Sequence, residues 1–248
     1  MAKAERRNAG NHDITLDEDF YSRHGHEFHN QNIQSSAECL KLFTSSPSIR
    51  YLKHASATIR LCSPQGPMTQ FTVFGSPYSP RHGHWAFYYD APVDPSNDAQ
   101  LTKIWDRIPQ HTDLVVTHTP PRTLCDATDE QRASGCEALR RALWRVQPRL
   151  AVCGHIHDGR GAARVTWDTV SENGTYAEKP VLAWADPGAE NKKLSLVDLT
   201  GRKGPLLKPG ETCVVNAAMM KSRYPHKGGK EFYKPIVVDV DLPVWTEE

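Results

Sequence analysis

Val115-Val116-Thr117-His118-Thr119-Pro120-Pro121 and Val152-Cys153-Gly154-His155-Ile156-His157 share one pattern. An apolar, largely β-branched run enters a polar turn, and histidines stand where the run ends. The runs predict strands at 113–117 and 149–153, because such side chains suit a pleated, buried surface. Between them, 135–146 places Cys136, Leu139, Leu143 and Val146 on one helical face. Upstream, 98–108 does the same with Leu101, Ile104, Trp105 and Ile108, with Asp98 as cap and Pro109 as stop. Alternating strand and helix argues for α/β layers. In α/β sheets, ligands bind at the carboxyl ends of the strands, where these histidines lie.

Working outward, 57–62 and 70–75 read as strands split by the turn Ser63-Pro64-Gln65-Gly66-Pro67. The stretch 76–97, rich in Pro, Tyr, Trp and His, reads as a long loop. Residues 17–36 are polar and His-rich, a surface loop or short helix. Cys39, Leu42 and Phe43 predict a short amphipathic helix at 37–44. After 160 the pattern turns to β, with strands expected at 163–168, 181–185, 194–199, 212–216 and 235–240. The stretches 170–180 and 200–211 read as excursions between them. No linker or repeat interrupts the chain, so 1–248 is read as one domain.

Composition narrows the function. The chain has 248 residues, 38% of them hydrophobic, enough for one sizeable core. Thirty Lys and Arg against 29 Asp and Glu leave a formal charge of +1. That balance offers no broad field for a nucleic-acid backbone. Cys39, Cys62, Cys125, Cys136, Cys153 and Cys213 are spread thinly, without a C-x-x-C pair. They read as reduced thiols rather than a disulfide frame or zinc ribbon. The apolar runs are too short to span a membrane, and MAKAERRNAG lacks the apolar segment of a secretory signal. The expected location is cytoplasmic.

A third segment, Gly10-Asn11-His12-Asp13, completes the constellation. Each segment alone suits an ordinary polar turn. Together and in this order they point to a metal site, since neutral imidazoles at one strand edge can converge on a cation. The order G-N-H-D, strand-end T-H, then G-H-x-H resembles the calcineurin-like metallophosphoesterase superfamily. Further segments resemble its branch of small, MPPED-type domain proteins, fungal members included. These are Phe74-Gly75-Ser76-Pro77, Trp85-Ala86-Phe87, Pro148-Arg149-Leu150, Gly154-His155-Ile156-His157-Asp158-Gly159 and Val215-Asn216-Ala217.

The resemblance implies a four-layer α/β/β/α sandwich around two divalent metals (Mn, Fe or Zn), hydrolysing small phosphomonoesters or phosphodiesters. Asn11, His118 and His155 resemble ligands of the second metal, and His157 resembles a ligand of the first. His12 resembles the catalytic histidine and Asp13 its orienting partner. The family's D-x-H and G-D motifs do not precede Gly10. The expectation is therefore a partial sandwich lacking its first strands, in an N-terminally truncated chain with one metal or none and little turnover. The alternative is a non-catalytic remnant or binding protein that retains the scaffold.

Other polar residues read more plainly. His24, His26 and His29 are expected on a surface loop near the site's mouth rather than in a substitute metal site. His82 and His84 either meet substrate phosphate or pack on aromatics. Arg122 and Arg160 suit phosphate or surface ion pairs, and Asn216 either reaches the site or caps a turn. Ser76 lacks a G-x-S-x-G elbow, which argues against a serine hydrolase.

Overall fold

The structure, a computed structural model, describes residues 9–63, 65–91, 99–168, 177–178 and 181–245. In chain order it contains α1 (Glu18–Phe28), α2 (Ser36–Thr44), β1 (Ala55–Arg60), β2 (Gln70–Ser76), β3 (Ser79–Pro80) and β4 (Tyr88–Tyr89). Next come α3 (Ala99–Trp105), β5 (Leu114–Thr117), α4 (Glu137–Val146), β6 (Leu150–Cys153) and β7 (Gly161–Asp168). The short β8 (Ala177–Glu178) and β9 (Leu182–Ala183) precede β10 (Ser195–Asp198), β11 (Glu211–Asn216) and β12 (Ile236–Asp239).

Eight strands form one mixed sheet in the order β1-β2-β5-β6-β11-β7-β8, with β9 also paired to β7. The four middle strands β2, β5, β6 and β11 run parallel. Their register pairs Ser76 with Thr117, Val116 with Val152, and Cys153 with Asn216. All four strands therefore end along one edge, and the T-H and G-H-I-H turns leave from it.

The sheet is covered on both faces. On one, α3 and α4 pack Trp105, Leu139 and Leu143 against Phe74, Val115, Ala151 and Val214. The predicted helix faces are thus core. Full burial of each of those leucines contributes about 1.5–3 kcal/mol. Cys136 caps α4, its sulfur accepting from the Leu139 amide, and Gln147 ends the helix in a left-handed conformation. On the other face β10 and β12 form a two-stranded parallel sheet. Val197, Leu199, Ile236 and Val238 there meet Phe71, Val73, Leu114 and Val215. Val116 and Val152, although on central strands, stay half-buried on this face. The protein is therefore mixed α/β. No helix among the described residues is long and apolar enough to cross a membrane.

Several expectations change in detail. The stretch 17–36 carries an eleven-residue helix, α1, capped by Asp17. Leu42, placed by its spacing on the buried face of α2, is 73% exposed, and only Cys39 and Phe43 dock. The loop 76–97 contains the short parallel pair β3–β4, and Asp98 lies outside the described residues. The five late strands all form, although the one expected at 181–185 shortens to Leu182–Ala183.

Candidate metal centre

Backbone bonds fix the site before its side chains do. The His118 amide donates to Ser76 O (2.9 Å), and His118 O accepts from the Gly154 amide (3.1 Å). Three neighbouring strand ends are thereby laced together, and His118 and His155 come off adjacent strands with ring centroids 4.6 Å apart. Gly10 brings the N-terminal segment onto the same edge. A Cβ on Gly10 would lie 2.4 Å from His118 Cε1, so only glycine lets the backbone pass the ring. Asn11, 5% exposed, then accepts a hydrogen bond at Oδ1 from His118 Nε2 (2.7 Å).

Replacement of Gly10 by alanine is accordingly expected to displace the His118 ring. The expected stability loss is about 1–3 kcal/mol, the usual cost of overpacking, with weakened metal binding. Chemical denaturation and metal titration check it, and wild-type values in both would sink this account of Gly10.

Burial sets the protonation state. It pushes the His118 pKa down to about 3, helped by the nearby His155, His12 and His157. His155 falls to about 4, again mainly through burial, with His82, His157 and His12 contributing. Both rings are neutral at physiological pH, which is the metal-binding form. His12, exposed on the rim, rests on Trp85 with centroids 3.9 Å apart. Burial lowers its pKa, while the charge of Asp13 opposes this. The Asp13 carboxylate accepts a hydrogen bond from the Gly10 amide (2.7 Å), so it braces the turn and reaches His12 through charge. His157, also exposed, opens a single 3-10 turn, His157–Gly159.

The donor set fits one divalent cation. Asn11 Oδ1, buried, and His118 Nε2, half-buried, already lie 2.7 Å apart, and both would hold a metal. His155 stands beside this pair. One neutral oxygen and two imidazole nitrogens suit manganese, iron or zinc. For a second cation the sequence-predicted set leaves His157 alone. Among the described residues, the His/Cys/Asp/Glu group with ligand atoms all within 4.8 Å lies elsewhere, at His24, Glu27 and His84. Burial raises the Cys125 thiol to about 11 and Cys153 well above its usual value, so both rest as neutral thiols.

A cavity of about 600 Å³ opens beside His155 and His157, lined also by Arg81, His82, Lys221 and Arg223. Its cations already have partners. Arg81 meets Asp90 (2.6 Å), Lys221 meets Glu231 (3.3 Å), and Arg223 bridges Asp129 and Asp158. His82 faces this cavity and His84 turns away to α1, so the two histidines flanking Gly83 serve different places. Arg160 is committed to Asp186 (3.3 Å).

Asn216 is the residue whose role the sequence left open. Fully buried, it donates from Nδ2 to Cys125 O (2.9 Å) and Ile156 O (2.8 Å) and accepts at Oδ1 from the Ala218 amide (3.0 Å). It braces the G-H-I-H turn from behind. Trp85, the platform for His12, was readable only as part of a family-like segment, because its partner lies 73 positions earlier (85 − 12).

No protein-family model matches the chain. It is similar to a probable rhamnogalacturonate lyase C of Emericella nidulans, 40% identical over 162 residues, covering 64% of this chain and 13% of that protein. It is 32% identical over 163 residues to human metallophosphoesterase domain-containing protein 1, covering 62% of this chain and 44% of that protein. A UPF0046 protein of Caenorhabditis elegans is 37% identical over 91 residues, covering 36% of this chain and 22% of that protein. The chain thus spans less than half the length of these relatives. Carrying G-N-H-D, T-H and G-H-I-H on one strand edge, the chain is similar in sequence to metallophosphoesterase domain-containing proteins of the MPPED type.

Proposed function

We propose that this chain binds small phosphate esters at a one-metal centre descended from a two-metal phosphoesterase, and hydrolyses them slowly or not at all. The observation that carries it is the Asn11–His118 hydrogen bond with the neutral His155 ring beside it, at the carboxyl edge of the parallel strands. A divalent metal held there would supply Lewis acidity and charge neutralisation for a phosphoryl group. The chain's own cations cannot readily substitute for it, because those lining the cavity are paired with carboxylates.

The protein residues then orient. His12, kept neutral by its lowered pKa and seated on Trp85, offers an N–H hydrogen bond to a phosphoryl or leaving oxygen. His82 and His157 line the cavity that would receive the ester's organic part. Among the described residues, His157 is the sequence-predicted ligand left for a second cation, which supports binding over turnover. A non-catalytic binding protein is the adjoining reading.

Manganese content and turnover of bis-p-nitrophenyl phosphate, compared between wild type and His118→Ala, test this. We expect His118→Ala to lose one metal equivalent per chain and the manganese-dependent protection of the fold by phosphate. Equal metal content and phosphate response in the two proteins would sink the site. Rapid manganese-dependent turnover, lost in His118→Ala, would overturn the impairment and leave a competent enzyme.

A further inference from the structure

The structure assigns a second metal site, separate from the candidate centre, to His24, Glu27 and His84. Helix α1 places His24 and Glu27 on one face, one turn apart. His24 Nδ1 lies 2.8 Å from Glu27 Oε1, and His84 Nε2 lies 3.2 Å from Glu27 Oε2. One ligand atom from each residue lies within 4.8 Å of the other two. The imidazoles meet edge to face at 4.4 Å. Both rest on Phe20, which is 2% exposed, and His84 also stacks on Phe28 at a 15° tilt.

A helical surface pair would account for His24 and Glu27 alone. It does not account for a third donor, brought from 60 positions away (84 − 24), aimed at the other carboxylate oxygen. Two neutral imidazoles and one carboxylate form an N/N/O set that favours zinc-class cations over magnesium or calcium. Around a tetrahedral zinc the donor atoms stand about 3.4 Å apart. With every pair already within 4.8 Å, the donors would contract by at most about 1.4 Å. The side chains are 29%, 45% and 49% exposed, which leaves them room to move.

The position of this clasp gives it a consequence. His84 adjoins Trp85, whose ring packs on Phe28 and on His12. The Phe87 amide already donates to Asp17, the cap of α1. A cation shared by His24, Glu27 and His84 would tie the same loop to the same helix a second time, fixing the platform beneath His12. It is a structural zinc site that steadies the rim of the candidate centre.

Zinc titration against a chromophoric chelator tests it in a His118→Ala background, where the candidate centre is disabled. We expect one zinc equivalent to remain, with affinity falling at least about tenfold in added Glu27→Gln or His84→Ala. Cobalt should give a four- or five-coordinate visible spectrum that disappears in the same variants. If His118→Ala does not fold, the comparison is made with His118 intact, where Glu27→Gln should lower the zinc stoichiometry from two to one. Unchanged zinc affinity in both Glu27→Gln and His84→Ala overturns the site and leaves the candidate centre unaffected.

Discussion

Asn216→Leu is expected to lower stability by about 3–5 kcal/mol and to loosen the metal-binding turn. Leucine is similar in size, so the change removes hydrogen bonds with little change in packing volume. The Cys125 carbonyl and the Ala218 amide lose their partner in a place with no solvent access to Asn216, and the Ile156 carbonyl keeps only the Gly159 amide (3.2 Å). Each buried polar group left unsatisfied costs about 1–3 kcal/mol. Such a loss is a large part of a typical folding free energy of about 5–15 kcal/mol. For a chain of this size it corresponds to a melting temperature lower by roughly 10 °C or more. Asn216→Asp should cost at least as much, since it keeps the acceptor but sets a buried carboxylate against two carbonyl oxygens. Thermal unfolding by circular dichroism checks both. A melting point for Asn216→Leu within about 2 °C of wild type would show that the brace contributes little.

The effect should reach the metal as well. Ile156 lies between His155 and His157, and Gly159 is packed so tightly that a Cβ there would stand 2.3 Å from Cys125 O. Without Asn216 this turn keeps its sequence and loses its anchor, so metal affinity is expected to fall even in the fraction that remains folded.

How much of this was readable beforehand depends on where each residue finds its partners. Leu139 and Leu143 are spaced along one helix, and Val115 and Ala151 lie in runs that can only be buried strands. Local periodicity therefore placed α4, β5 and β6 closely. Helix α1 was harder, because its docked face consists of Phe20, Tyr21 and Gly25 among charged residues, a weak apolar period. Gly25, which reads as a helix breaker, is needed because the Tyr21 ring would lie 2.9 Å from any Cβ there. Leu42 shows the reverse error, a regular apolar position with nothing packed over it.

The site divides in the same way. The strand-end histidines were visible because β-runs ending in T-H and G-H-I-H put them on a ligand-binding edge. The pairing of Asn11 with His118 spans 107 positions, and no local pattern encodes it. It was anticipated only through the resemblance of the ordered motifs. Helical spacing brings His24 to Glu27, but neither a local pattern nor a family motif adds His84, so this donor cluster was not legible in the sequence.

A paired substitution at His155 should separate its two roles. The residue has φ +67°, a left-handed conformation that costs a non-glycine residue about 1–2 kcal/mol. Such strain persists where surrounding structure enforces it, here through the Ile156 amide bonded back to Gly154 O (2.7 Å) and Asn216 bonded to Ile156 O. His155→Ala and His155→Gly remove the same donor nitrogen. Both should weaken metal binding by about 100-fold or more, since loss of even an outer partner of a metal ligand costs about 10–100-fold. Stability without metal should differ between them. Glycine adopts φ +67° without penalty but gains entropy in the unfolded chain, worth about 0.5–1 kcal/mol against it. The net expectation is that His155→Gly unfolds at higher denaturant than His155→Ala, by up to about 1 kcal/mol. Measurement in the presence of a chelator isolates this difference from metal binding. If alanine proved the more stable of the two, the left-handed turn at His155 would not be a strained feature held for its ligand. If either variant bound metal like wild type, His155 would not be a ligand at all.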